Sequence, residues 1–219
     1  MTQPAFEAIA GLYAITPDNR PLAQLLRETK QALQGGANLV QFRDKSTDTQ
    51  QRLKSARALL ALCAEFGIPL IINDDIELAA SIDAAGVHLG QQDASIAEAR
   101  SILGEQAIIG ATCHGSIELA RQAKQQGASY LAFGRFFNSS TKPNALPAPI
   151  TILPEAKKLQ LPIVAIGGIT HLNAGQLLAQ GADAIAVVNA LYGATDIDAR
   201  AMDFTALFTK SVYPPRHHN

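Results

Sequence analysis

The 219-residue sequence predicts a single (β/α)8 TIM barrel, and three observations lead there. Short, almost wholly apolar runs recur along the chain, as parallel strands covered on both faces require. Between them lie amphipathic runs of helical period, the crossovers that parallel strands need. Polar side chains gather just after the apolar runs, where a barrel of this kind places its chemistry.

The strand candidates are GLYAIT (11–16), LVQFR (39–43), PLIIN (69–73), GVHLG (86–90), AIIGAT (107–112), YLAFG (130–134), PIVAIG (162–167) and AIAVVN (184–189). The first intervening helix is PLAQLLRETKQALQGG, which opens near a proline and stops at glycine. SIELARQAKQQG repeats the pattern later in the chain. Four units share one phrase at helix stop, turn and strand start: GGANLVQ, AAGVHLG, QGASYLA and QGADAIAV. A solenoid or an open doubly wound sheet are the alternatives. The helices are charged on one face only, and no GxGxxG follows the first strand, so the closed barrel is preferred. One segment breaks the alternation: GRFFNSSTKPNALPAPI (134–150), rich in proline and hydroxyls, reads as a functional loop after the sixth strand.

Composition narrows the function classes. Hydrophobic residues make up 47% of the chain and charged residues 17%, ordinary values for a globular protein large enough to fold without disulfide or structural metal. The two cysteines, Cys63 and Cys113, have no ligand spacing, which suits a reducing cytoplasm. A net charge of −1 argues against a nucleic-acid partner. The N-terminus carries Glu7 and lacks the basic region of a signal peptide, and no apolar run is long enough for a membrane span. The barrel domain is expected over residues 1–211, with a polar, disordered tail at 212–219.

At the strand ends, Gln41, Arg43 and Lys45 alternate, so one face would carry all three into the barrel mouth. An inward arginine needs an anion or a carboxylate. Asn73, Asp74 and Asp75 end the third strand; Gln91, Gln92 and Asp93 follow the fourth. Asp74 and Asp93 would face each other, either as ligands of a Mg²⁺ ion shared with phosphate oxygens or as plain helix caps. Thr112, Cys113 and His114 end the fifth strand; Cys113 has no activating partner and gets no catalytic role. His88, inside an apolar strand, reads as a satisfied core histidine. Gly167 and Gly168 in IGGIT, with Val188 and Asn189 in VVNALYG, occupy the phosphate-binding loops of such barrels.

LYAIT, LVQFRDK, IINDD, GVHLGQQD, IIGATCH, FGRFFNSSTKPNA, PIVAIGGIT and GADAIAVVNAL, in that order, resemble the thiamine-phosphate synthase family. The resemblance spans about residues 12–191. It implies a transferase joining 4-amino-5-hydroxymethyl-2-methylpyrimidine diphosphate to 4-methyl-5-(2-phosphoethyl)thiazole, giving thiamine phosphate and pyrophosphate. It implies Gln41 on the pyrimidine, with Arg43, Lys45, Asn73 and Lys142 on the diphosphate. Asp74 and Asp93 would bind Mg²⁺, and Thr112 would contact the leaving group or pyrimidine. Ser139 and Thr141 match the loop hydroxyls, and Gly168, Val188 and Asn189 would place the thiazole phosphate. Four positions depart from the family's pattern: Asp75 stands for arginine, Arg135 and Asn138 for loop prolines, and Asn189 for serine. A thiazole tautomerase-like paralogue using His114, or a silent phosphate-binding barrel, are the competing readings. A homo-oligomer is possible on this scaffold.

Overall fold

The computed structural model describes residues 9–138 and 146–212, with side chains through Thr209. Eight parallel strands close on themselves in sequence order. They are β1 (Gly11–Ile15), β2 (Ala37–Phe42), β3 (Leu70–Asn73), β4 (Gly86–Leu89), β5 (Ile108–His114), β6 (Tyr130–Phe133), β7 (Ile163–Ile166) and β8 (Ala184–Val187). Between and after them come α1 (Leu22–Gln34), α2 (Thr49–Glu65), α3 (Ile76–Ile82), α4 (Ile96–Leu103), α5 (Ile117–Gln125), α6 (Ile152–Lys157), α7 (Ala174–Ala179), α8 (Asn189–Tyr192) and α9 (Ile197–Val212). The predicted (β/α)8 barrel is therefore present, and each strand lies within or overlaps the apolar run that predicted it. The last helix includes Val212, one residue inside the expected tail; residues 213–219 lie outside the described residues.

Period-two alternation divides the core into layers. On β1, Leu12 and Ala14 pack outward under the helices, while Tyr13 and Ile15 fill the barrel. On β2, Val40 and Phe42 face outward, Leu39 inward, and Gln41 takes the next inward position. The inner cluster also contains Ile71, Ile108, Tyr130, Ala132, Val164, Ala184 and Ala186. With apolar side chains plugging its lower part, the barrel opens toward the C-terminal strand ends.

Two local features shape that end. Asp75, Ser95 and Ser116 accept hydrogen bonds from the backbone N–H groups of Leu78, Glu98 and Leu119, starting α3, α4 and α5 at the C-terminal side of their strands. The pairing of β5 with β6 skips a residue between Thr112 and His114. This bulge carries β5 past the expected end at Thr112 and turns His114, at φ 50°, over the rim. Among the described residues, no helix is long and apolar enough to cross a membrane.

Candidate active site

The C-terminal strand ends surround a cavity of about 760 Å³. Gln41, Arg43 and Lys45 all line it, as their alternation predicted. Gln41 is 3% exposed, because its strand position directs it inward. The Arg43 guanidinium meets a carboxylate, Asp18 from the loop after β1. Asp18 also accepts from the Lys45 backbone N–H at 3.1 Å, and fully buried Thr16 accepts from the Arg43 N–H at 2.9 Å. Asp18 escapes sequence reading, since nothing in PDNR marks it as a partner for an arginine 25 residues away. The unexplained inward arginine was the available signal.

Across the mouth, Lys45 pairs with Asp74, and the Asp74 and Asp93 carboxyl groups lie against each other. Burial pushes the Asp74 pKa up, but the contacts with Lys45 and Asp93 outweigh it and hold the group below the ordinary carboxylate range. Asp93 moves the other way, raised by burial and then by its contact with Asp74, against the lowering effect of the Gly90 N–H. Placed this close, the two carboxylates do not ionise independently. Neither is a helix cap: Asp75 caps α3 and Ser95 caps α4, leaving Asp74 and Asp93 for the cavity. Asp74 sits at φ 65°, a conformation aspartate tolerates better than most residues. Such a pair fits a hard divalent cation, which relieves the repulsion between the two carboxylates. Among the described residues, no group of three His, Cys, Asp or Glu side chains is placed for a metal, so an ion here would take two protein carboxylates.

Asp75 does not load the pair with further charge. Its Oδ2 accepts from Arg52 of α2 at 2.8 Å while Oδ1 caps α3. His88 is satisfied at both ring nitrogens, as expected, yet it is not a core residue. It is half-buried, lines the cavity, and contacts Tyr130 OH through Nδ1 at 2.8 Å and Thr112 Oγ1 through Nε2 at 2.9 Å. Asn73 stands opposite it in register. Cys113 is fully buried, its thiol pushed up to about 12 by burial, which agrees with the absence of a nucleophilic role.

Gly168, Val188 and Asn189 form the opposite wall, with His114, Arg135 and Asn138 at the rim. Gly168 has φ 66°, and a Cβ there would lie 2.3 Å from the Asn138 carbonyl oxygen. Glycine is needed because the segment after β6 crosses directly over it. Arg135 and Asn138 are bonded to each other, Arg135 Nη1 donating to Asn138 Oδ1 at 3.0 Å. Ser139, Thr141 and Lys142 lie outside the described residues.

The thiamine monophosphate synthase family model matches residues 12–191, most of the chain and all eight strands. The chain belongs to that family. A thiamine-phosphate synthase from Marinobacter nauticus is 55% identical over 212 residues, covering 95% of this chain and 92% of the relative. One from Methylobacillus flagellatus is 51% identical over 208 residues, covering 95% of this chain and all of the relative. The solved thiamine phosphate pyrophosphorylase from Pyrococcus furiosus superposes with a TM-score of 0.85 at 31% identity, covering 94% of this chain and 98% of that one. Membership in the thiamine monophosphate synthase family extends to both walls of the cavity, since the matched segment runs from β1 past Asn189.

Proposed function

We propose that the chain is a thiamine-phosphate synthase, a transferase that joins the aminopyrimidine diphosphate to the thiazole phosphate with release of pyrophosphate. One observation carries the reading. A single cavity has cations and a carboxylate pair on one wall, Arg43, Lys45, Asp74 and Asp93, and a glycine turn with a helix start, Gly168, Val188 and Asn189, on the other. Two phosphorylated substrates of unequal charge would meet between them.

The reaction breaks the bond from the pyrimidine methylene to the diphosphate oxygen, which leaves with the electron pair. The thiazole nitrogen lone pair forms the new C–N bond. No proton transfer and no protein nucleophile is required, consistent with buried, inert cysteines. The demand is charge neutralisation on the leaving group, which preorganised cations supply. Arg43 and Lys45 are held toward the mouth by Asp18 and Asp74. Lys142, with Ser139 and Thr141, would add loop contacts, and Asn73 a further donor. Gln41 and Thr112 would hold the pyrimidine ring, while Gly168, Val188 and Asn189 would receive the thiazole phosphate. Asp74 and Asp93 would hold Mg²⁺, which when bound adds positive charge beside the diphosphate. The enzyme would work in the cytoplasm as one barrel domain that runs through the end of α9, on small molecules rather than nucleic acid or membrane, alone or as a homo-oligomer.

The test is to supply purified protein with both substrates and Mg²⁺ and to follow thiamine phosphate. Product formation is expected. Isomerisation of the thiazole phosphate alone would replace the reading with a tautomerase, and binding without turnover would replace it with a silent barrel. Lys142→Ala is expected to lower turnover about a hundredfold, the scale of losing one stabilising contact to developing charge.

A further inference from the structure

We propose that Tyr13, Tyr130 and His88 form a positioning relay that sets which hydrogen-bonding atoms Gln41 and Thr112 turn toward the ring of an aminopyrimidine. The proposal rests on the reading of the cavity as a pyrimidine diphosphate site. Four hydrogen bonds run unbroken across the barrel. Gln41 Nε2 donates to Tyr13 OH at 2.8 Å; Tyr13 OH meets Tyr130 OH at 2.9 Å; Tyr130 OH meets His88 Nδ1 at 2.8 Å; His88 Nε2 meets Thr112 Oγ1 at 2.9 Å. Both ends of the chain line the cavity, yet Tyr130 lies wholly buried between them. It acts on a ligand only through its neighbours.

The chain has a direction. With Gln41 donating at one end and His88 neutral, the order that leaves no hydroxyl hydrogen idle sends the Tyr13 hydrogen to Tyr130 and the Tyr130 hydrogen to His88 Nδ1. Chemistry favours the same sense, because a phenol is a better donor than imidazole N–H and neutral imidazole nitrogen a better acceptor than phenol oxygen. His88 then carries its proton on Nε2 and donates it to Thr112 Oγ1. The Thr112 hydroxyl hydrogen is released for another acceptor. One amide hydrogen of Gln41 is spent on Tyr13, which fixes the amide's orientation and leaves a carbonyl acceptor and one N–H donor in fixed order. That pair matches an exocyclic amino group beside a ring nitrogen, the pairing by which glutamine reads adenine. A pyrimidinone presents the reverse order and is refused.

The barrel is built to admit this relay. The Tyr130 ring stacks on His88 with centroids 5.5 Å apart and meets Tyr13 edge-on at 6.1 Å. It passes over Gly110, where a Cβ would lie 2.0 Å from the tyrosine Cζ. A glycine in the middle of β5, on the inward face two residues before Thr112, makes room for the hydroxyl at the barrel axis.

The test uses Tyr130→Phe, which removes one oxygen and keeps the stacked ring. In the substrate-free wild-type protein, nitrogen NMR of His88, assigned by its loss in His88→Gln, is expected to place the proton on Nε2. A proton on Nδ1 would overturn the relay whatever the protein's activity. In steady-state assays, Tyr130→Phe is expected to raise KM for the pyrimidine diphosphate about tenfold while leaving that for the thiazole phosphate unchanged. The preference for the amino over the oxo pyrimidine diphosphate should fall by a similar factor. An unchanged preference, or equal effects on both substrates, would reduce these residues to packing and sink the proposal. A wild-type protein that makes no thiamine phosphate would end the functional reading, and the NMR measurement would still decide the relay.

Discussion

Asp93 accepts from the Gly90 amide at 2.7 Å while Ser95 starts α4, so its charge can be removed without disturbing the helix. Asp93→Asn is expected to lower turnover about a hundredfold by weakening the Mg²⁺ site. The same substitution should raise the melting temperature measured in EDTA, because it ends the repulsion with Asp74. Wild-type turnover in that variant would remove the metal assignment. The two thiols give a separate expectation. Burial pushes Cys63 and Cys113 up to about 12 from a usual 9.0, so both stay protonated in the fold at pH values where the unfolded chain ionises. Their contribution to stability is complete below pH 9.0 and is lost as the pH rises toward about 12. Unfolding midpoints measured across that window should fall, less steeply in Cys63→Ala/Cys113→Ala, and thiol reagents should label neither residue before unfolding. At this scale the alternation Gln41, Arg43, Lys45 was legible because a strand end leaves no other way for three polar groups to share a face. Asp18, and the histidine that proved to line a cavity, were not, since both depend on which loop or strand stands opposite.

The departures from the family's pattern lie between strand and helix or at a helix start, and three of the four have local explanations. Asp75 spends one oxygen on the start of α3 and the other on Arg52. Restoring the family's arginine by Asp75→Arg would remove the cap and place two guanidinium groups side by side. A loss of about 1–2 kcal/mol is expected in urea unfolding, with turnover little changed. Arg135 and Asn138 stand where prolines are common, and their side chains hold each other across the turn. The Phe137 N–H also donates to the Gly167 carbonyl at 3.0 Å, tying this segment to the end of β7. A hydrogen-bonded clasp thus does what two rings would do by restricting backbone freedom. Sequence reading found the loop as an anomaly but could not find the clasp. Pairing between Arg135 and Asn138 depends on how β6 exits over Gly168.

At the scale of the molecule, eight apolar runs sufficed to predict the barrel, because strands buried on both faces tolerate few polar residues. The bulge in β5 was invisible, as Cys113 reads like any other strand residue. Closure depends on the last helix, whose Thr205 hydroxyl donates to the Gly35 carbonyl at 3.0 Å and whose Phe204 is fully buried. Phe204→Ala is expected to cost about 3–5 kcal/mol in urea unfolding, a large part of the stability of a domain this size.

The junction of β1 with β8 also bears on how the protein is made. Gly11 donates to the Asp183 carbonyl at 3.0 Å, and Arg20 reaches the Tyr192 carbonyl 172 positions later. On the ribosome β1 emerges early and pairs with β2, but its other edge stays bare until nearly the whole chain has been translated. Every nascent chain therefore carries an unpaired apolar strand through most of its synthesis, the condition in which holding by a chaperone matters most.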